Sequence, residues 1–283
     1  MINHVGSTIW ASLLAGALGL FAGVPVASAW EWYLGGFVGG AFPQNTDFQL
    51  TKPQQQELTF PGPPPLIFSQ PSYSVEVKSQ LEPSLMGGGK AGVCPRFFPY
   101  LCAELEFDYF QPDMEGQNPF QTPFSGVADA FRRLPLARFD FRVYDLGLNL
   151  IGRMAILKEA GYPLGGRLHL YLGAGPSFIW TTAKDKDCVS GLEITSQPSE
   201  GGILLLPVLN PSRCNQTNTD FSVGVQALAG GKFFLTKHVA LFSEYKFKHW
   251  RSDFVFQSGG GGYQIGDVDF SVHLVYVGLA FHF

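Results

Sequence analysis

Residues 167–180 read Arg-Leu-His-Leu-Tyr-Leu-Gly-Ala-Gly-Pro-Ser-Phe-Ile-Trp. The period is two. Leu168, Leu170, Leu172, Ala174, Pro176, Phe178 and Trp180 fall on one face of an extended chain, and Arg167, His169, Tyr171, Gly173, Gly175 and Ser177 on the other. Gly173, Gly175 and Pro176 are hostile to a helix, the glycines through backbone entropy and the proline through its missing N–H. A barrel wall that crosses lipid alternates in this way in segments of about ten residues, apolar side chains toward lipid and polar ones toward the lumen.

Working outward from that stretch, the same texture recurs. Val275, Val277, Leu279, Phe281 and Phe283 share a face, with Tyr276, Gly278, Ala280 and His282 on the other. Between Val239 and Phe247 the outward set is Val239, Leu241, Tyr245 and Phe247, while Glu244, Lys246 and then Lys248 point inward. Ala103, Leu105, Phe107 and Tyr109 alternate with Glu104, Glu106 and Asp108. Over 139–151 the apolar phase changes, from Phe139, Phe141 and Val143 to Leu146, Leu148 and Leu150, which predicts a β-bulge at Tyr144 or Asp145 and puts Asp140 and Arg142 inside. Phe221–Leu235 gives another strand, with Ser222, Gln226 and Lys232 inward; Trp30–Phe42 gives the first, and a second lies within Tyr73–Val93.

Eight strands result, an even number that lets a barrel close with both termini on one side. Long connections (43–72, 111–135, 181–218, 252–266) alternate with short ones (94–102, 154–166, 235–238). The expected fold is all-β: a transmembrane, antiparallel, up-and-down barrel with long outer loops, short periplasmic turns and periplasmic N- and C-termini.

Composition agrees. Only 15% of residues are charged, against about 25% in soluble domains. A formal charge of −4 without a basic run excludes nucleic acid as a natural partner. The apolar run Ile9–Val26, followed by Ala27-Ser28-Ala29, reads as a signal peptide over 1–29, leaving a barrel over 30–283. The competing reading, an N-terminal membrane helix, fits the length but not the small-residue site. Four cysteines in an exported chain read as disulfides, and of three pairings Cys94 with Cys102 and Cys188 with Cys214 is the most economical. Neither spacing resembles a metal site.

The opening Trp32-Tyr33-Leu34-Gly35-Gly36-Phe37-Val38-Gly39-Gly40, the run Leu170–Pro176, the hairpin Val223–Tyr245 and the terminal Phe283 resemble the OmpA-like, or porin-family, eight-stranded outer-membrane barrel domain. The resemblance implies a monomer in the bacterial outer membrane, surrounded by its lipid. It also implies that Phe283 serves as the signal read by the outer-membrane assembly machinery.

Three groups could carry function. Glu104, Glu106, Asp108, Asp140, Arg142, Glu244, Lys246 and Lys248 are expected in the lumen, acids opposite bases. An eight-stranded barrel is only just wide enough for its own side chains, so these groups are expected to plug it; a narrow or gated pore for small solutes is the alternative. His249 and Ser252 have the minimum chemistry for attack on an ester, but a lipid A deacylase of similar fold carries His-x-Ser, not the His-x-x-Ser found here. The expected role is therefore structural or surface-interacting, through outer loops that could meet an unknown ligand, without enzymatic activity or cofactor. Of the tryptophans, Trp30, Trp32, Trp180 and Trp250 are expected in interfacial girdles.

Overall fold

The structure, a computed structural model, describes residues 30–52, 58–60, 66–68, 73–114, 139–185, 217–256 and 263–283. The expected signal segment 1–29, together with Cys188 and Cys214, lies outside the described residues. The strands are β1 (Trp30–Pro43), β2 (Thr46–Lys52), β3 (Leu58–Phe60), β4 (Leu66–Phe68), β5 (Tyr73–Ser79), β6 (Ser84–Pro95), β7 (Leu101–Phe110), β8 (Phe139–Lys158), β9 (Gly166–Asp185), β10 (Thr217–Phe234), β11 (Val239–Phe256) and β12 (Tyr263–His282). Eight of them form the wall in the order β1-β6-β7-β8-β9-β10-β11-β12, every neighbour antiparallel, and β12 pairs back onto β1. The closing seam runs from Tyr33↔His282 to Pro43↔Val272. The barrel is closed, all-β and up-and-down.

Short turns sit at the end that bears Trp30 and Phe283. Cys94 and Cys102 are disulfide-bonded across the β6–β7 turn, their Cα atoms 4.2 Å apart. A single 3₁₀ turn, Pro163–Gly165, joins β8 to β9, with Gly161 and Gly165 at positive φ. In the β10–β11 turn the Thr236 hydroxyl accepts from the Val239 N–H at 3.1 Å.

The long-loop end departs from expectation. The Pro- and Gln-rich segment after β1 carries strands: β2 pairs with β5 from Thr46↔Ser79 to Lys52↔Tyr73, and with β12 from Gly266↔Gln49 to Gln264↔Thr51. Strand β12 is thus paired on this edge by β1 over Val272–His282 and by β2 over Gln264–Gly266. Strands β11 and β12 run on to Phe256 and from Tyr263, so the Gly-rich connection shrinks to 257–262.

There is no bulge at Tyr144 or Asp145. The β8–β9 register is unbroken from Phe139↔Asp185 to Ala155↔His169, and the first irregularity falls between Ala155 and Leu157. Odd-numbered residues face inward along that whole run, so Phe139, Phe141 and Val143 are interior and buried.

Glycines admit the large inward rings of so narrow a barrel. A Cβ on Gly92 would overlap the Tyr33 ring, and one on Gly230 the Tyr171 ring. Outward Gly36 is different: the nearest atom to its Cβ would be 3.9 Å away.

Candidate functional site: the barrel interior

Alternation places one set of side chains inside each strand, and these stack in layers along the axis. Nearest the short turns, Arg153 of β8 forks onto Glu31 of β1 (Nη1–Oε1 2.9 Å, Nη2–Oε2 2.6 Å) and donates from Nε to the Pro99 carbonyl at 2.9 Å. His282 Nδ1 lies 2.9 Å from Glu31 Oε1.

The next layers hold Glu104, Glu106, Glu244, Lys90 and Lys246. Tyr33 donates to Glu104 Oε2 at 2.6 Å. Lys90 Nζ reaches Glu244 at 2.6 Å and Glu104 at 3.6 Å. Lys246 is paired with Glu106 and lies 3.8 Å from Glu244. Tyr171 donates to Glu244 at 2.9 Å, and the Tyr276 hydroxyl sits between Glu244 and Glu106, 3.0 Å from the latter. Gln226 donates to Asn149 Oδ1 at 2.7 Å, and Asn149 donates on to Glu104 at 3.4 Å. One layer further, Lys248 bridges Asp108 (2.6 Å) and Asp145, and Ser177 donates to Asp145. Carboxylates and ammonium groups out of water need this density of partners, because an unpaired one is expensive.

Beyond Lys248 the interior becomes apolar. Trp250 stacks on Phe270 with ring centroids 4.9 Å apart and donates from Nε1 to the Thr181 hydroxyl at 3.2 Å. Phe141 packs on Phe254 and Phe270, and Val143, Ile179 and Ala183 are fully buried beside them.

Six of the eight charged residues read from sequence meet in the lumen: Glu104, Glu106, Asp108, Glu244, Lys246 and Lys248, all buried. Asp140 and Arg142 do not. They take the even, outward positions of β8, with Arg142 exposed, because the neighbouring odd positions carry Phe139, Phe141 and Val143 into the apolar half of the lumen. Trp250 is corrected for the same reason: it is 2% exposed inside the barrel, while Trp30, Trp32 and Trp180 face outward. His249 and Ser252 fall on opposite faces; His249 Nδ1 contacts Ser271 Oγ at 3.0 Å on the outside, and Ser252 is buried 3.3 Å from the Ser222 hydroxyl. Sequence reading missed Glu31, Lys90, Asp145 and Arg153, while Lys232, read as inward, is indeed buried in the lumen. Lys90 hides among glycines, but Arg153 and Asp145 lie on the odd positions of one unbroken β8.

The outside is apolar where the inside is charged. Val38, Leu105, Leu150, Leu172, Val225, Leu241 and Val277 are all exposed, and Phe283 at the short-turn rim is 68% exposed with its N–H donating to the Trp32 carbonyl at 2.9 Å. Such a surface has no place in water, whereas a closed antiparallel barrel satisfies its own backbone in lipid. No helix among the described residues is long and apolar enough to cross a membrane; the strands do the crossing.

No family model matches the chain, and no curated protein matches it in sequence. Solved structures do match. Neisserial surface protein A is 12% identical, over 90% of this chain and 97% of that one, with a TM-score of 0.38. The outer membrane protein OprG from Pseudomonas aeruginosa is 13% identical over 89% and 95%, with a TM-score of 0.45. Ail, the attachment invasion locus protein of Yersinia pestis, solved with the heparin analogue sucrose octasulfate, is 11% identical over 89% and 99%, with a TM-score of 0.34. The class of this chain follows from its own closure, lumen and lipid-facing surface: it is a transmembrane β-barrel.

Proposed function

We propose that the chain is a bacterial outer-membrane protein with a closed lumen, short turns and both termini in the periplasm, and a structural or surface-interaction role without catalysis. The observation that carries this reading is the lumen itself. Lys90, Lys246 and Lys248 each hold a carboxylate, and an aromatic and aliphatic layer covers the last of these pairs. An eight-stranded wall leaves room for little else.

The surface role rests on the far end of β11 and β12. Their outward face turns polar beyond Phe247, where His249 meets Ser271 and Arg251 is paired with Asp269 at 2.8 Å. The nine residues from Lys248 to Phe256 extend about 30 Å at ~3.3 Å per residue, and β2 and β5 widen that projection. A sheet standing beyond the headgroups is a surface on which a partner outside the cell can rest.

Single-channel conductance of the refolded chain in a planar bilayer tests closure. Silence is the expected result. Discrete, reproducible openings would replace the structural reading with transport of small solutes.

A further inference from the structure

Lys232 stands apart from the other lumen cations. It enters from β10 near the short-turn end, is 7% exposed, and its Nζ lies 3.9 Å from the centroid of the Tyr33 ring. Lys90, Lys246, Lys248 and Arg153 each hold a carboxylate. Lys232 holds none among the described residues; its contacts there are with the faces of Tyr33 and Tyr171. A ring face returns only part of what a buried ammonium loses on leaving water.

The lysine lines a cavity of about 10 Å³, shared with Tyr33, Lys90, Glu104, Arg153 and His169 among others. That is room for a single water-sized occupant. Of the three cations that face this space, Lys90 is engaged by Glu244 at 2.6 Å and Glu104 at 3.6 Å and Arg153 by Glu31 at 2.6 Å, so among the described residues Lys232 alone brings a charge without a paired carboxylate. A buried ammonium without a paired carboxylate, beside space for one small occupant, favours an anion there.

We infer that this cavity is a site for one small monovalent anion, chloride or another halide, taken from the solution at the short-turn end. The ion supplies the counter-charge that no carboxylate supplies to Lys232 and ties β10 to β1, β6 and β8 around it. This site stands independently of whether the lumen conducts.

The test is urea unfolding of the full chain refolded in detergent micelles, followed by tryptophan fluorescence, in sodium chloride and in sodium gluconate of equal ionic strength. Gluconate is too large for the cavity. Above saturation each tenfold rise in chloride should raise the folded-to-unfolded ratio about tenfold, gluconate should do nothing, and Lys232→Met should abolish the chloride effect. Equal stability of the unaltered chain in the two salts would overturn the inference and leave a water there, bridging Lys232 to the otherwise unpartnered Nδ1 of His169. Chloride stabilisation surviving in Lys232→Met would overturn it too, by placing the ion elsewhere. Should that variant fail to refold, bromide-soaked crystals of the unaltered chain decide the matter: an anomalous peak beside Lys232 supports the site, and its absence removes it.

Discussion

The two halves of the lumen are built on the same alternation from opposite chemistry. Toward the short turns the inward positions carry Glu31, Glu104, Lys90, Glu244 and Lys246, held by forks and hydroxyls. Toward the long loops they carry Phe141, Trp250 and Phe270 in ring-on-ring contact, with Val143 and Ile179 in the same buried cluster. The first half is specific and intolerant, because each charge depends on a partner of opposite sign. The second depends on volume and shape, so its losses should be graded. Inward polarity is therefore a property of a layer, and it does not extend along a whole strand.

The sharpest way to break this contrast is Lys248→Ala. It strands Asp108 and Asp145 in a buried layer, and we expect a loss of about 3–5 kcal/mol in urea unfolding; a loss near zero would mean that the layer is wet. Next in size is Gly92→Ala, which drives a methyl into the Tyr33 ring and should cost about 1–3 kcal/mol, while Gly36→Ala on the lipid face should be silent in the same titration. In the apolar half Ile179→Val removes one methyl from a fully buried site and should cost about 0.5–1.5 kcal/mol; a loss as large as that from Lys248→Ala would erase the difference between the halves. Smallest of all, Arg142→Ala should change stability by no more than about 0.5 kcal/mol. A large loss there would return Arg142 to the lumen.

Most of the wall could be read from the sequence because a charge at every second position of an apolar strand has only one place to go. Glu104, Glu106 and Asp108 declare their face, and so do Glu244, Lys246 and Lys248. The reading failed where that signal lapsed. In Phe139-Asp-Phe-Arg-Val143 the rule that apolar means lipid-facing gives the wrong parity, since the interior at that level is itself apolar. The apparent phase change then demanded a bulge that the β8–β9 register does not contain. Trp250 misled in the same way. Strand β2 was overlooked inside a Pro- and Gln-rich stretch, and β5 was merged with β6 in the single strand placed within Tyr73–Val93, although Tyr73-Ser-Val-Glu-Val-Lys-Ser79 alternates cleanly by itself. Composition of the whole segment masked the period of its ends.

The seam between β1 and β12 has a consequence for how the molecule comes to exist. Leu34 is paired with Phe281, so the bonds that close the cylinder join the beginning of the described wall to its end. Contacts of such sequence separation form slowly, and no earlier pairing can substitute for them. Until β12 is in place the growing sheet has two raw edges, each able to recruit a foreign strand. The disulfide at the β6–β7 turn, spanning a separation of only 8 residues, can form long before that moment. The chain can thus acquire a locally stapled hairpin before its inside and outside are separated by closure.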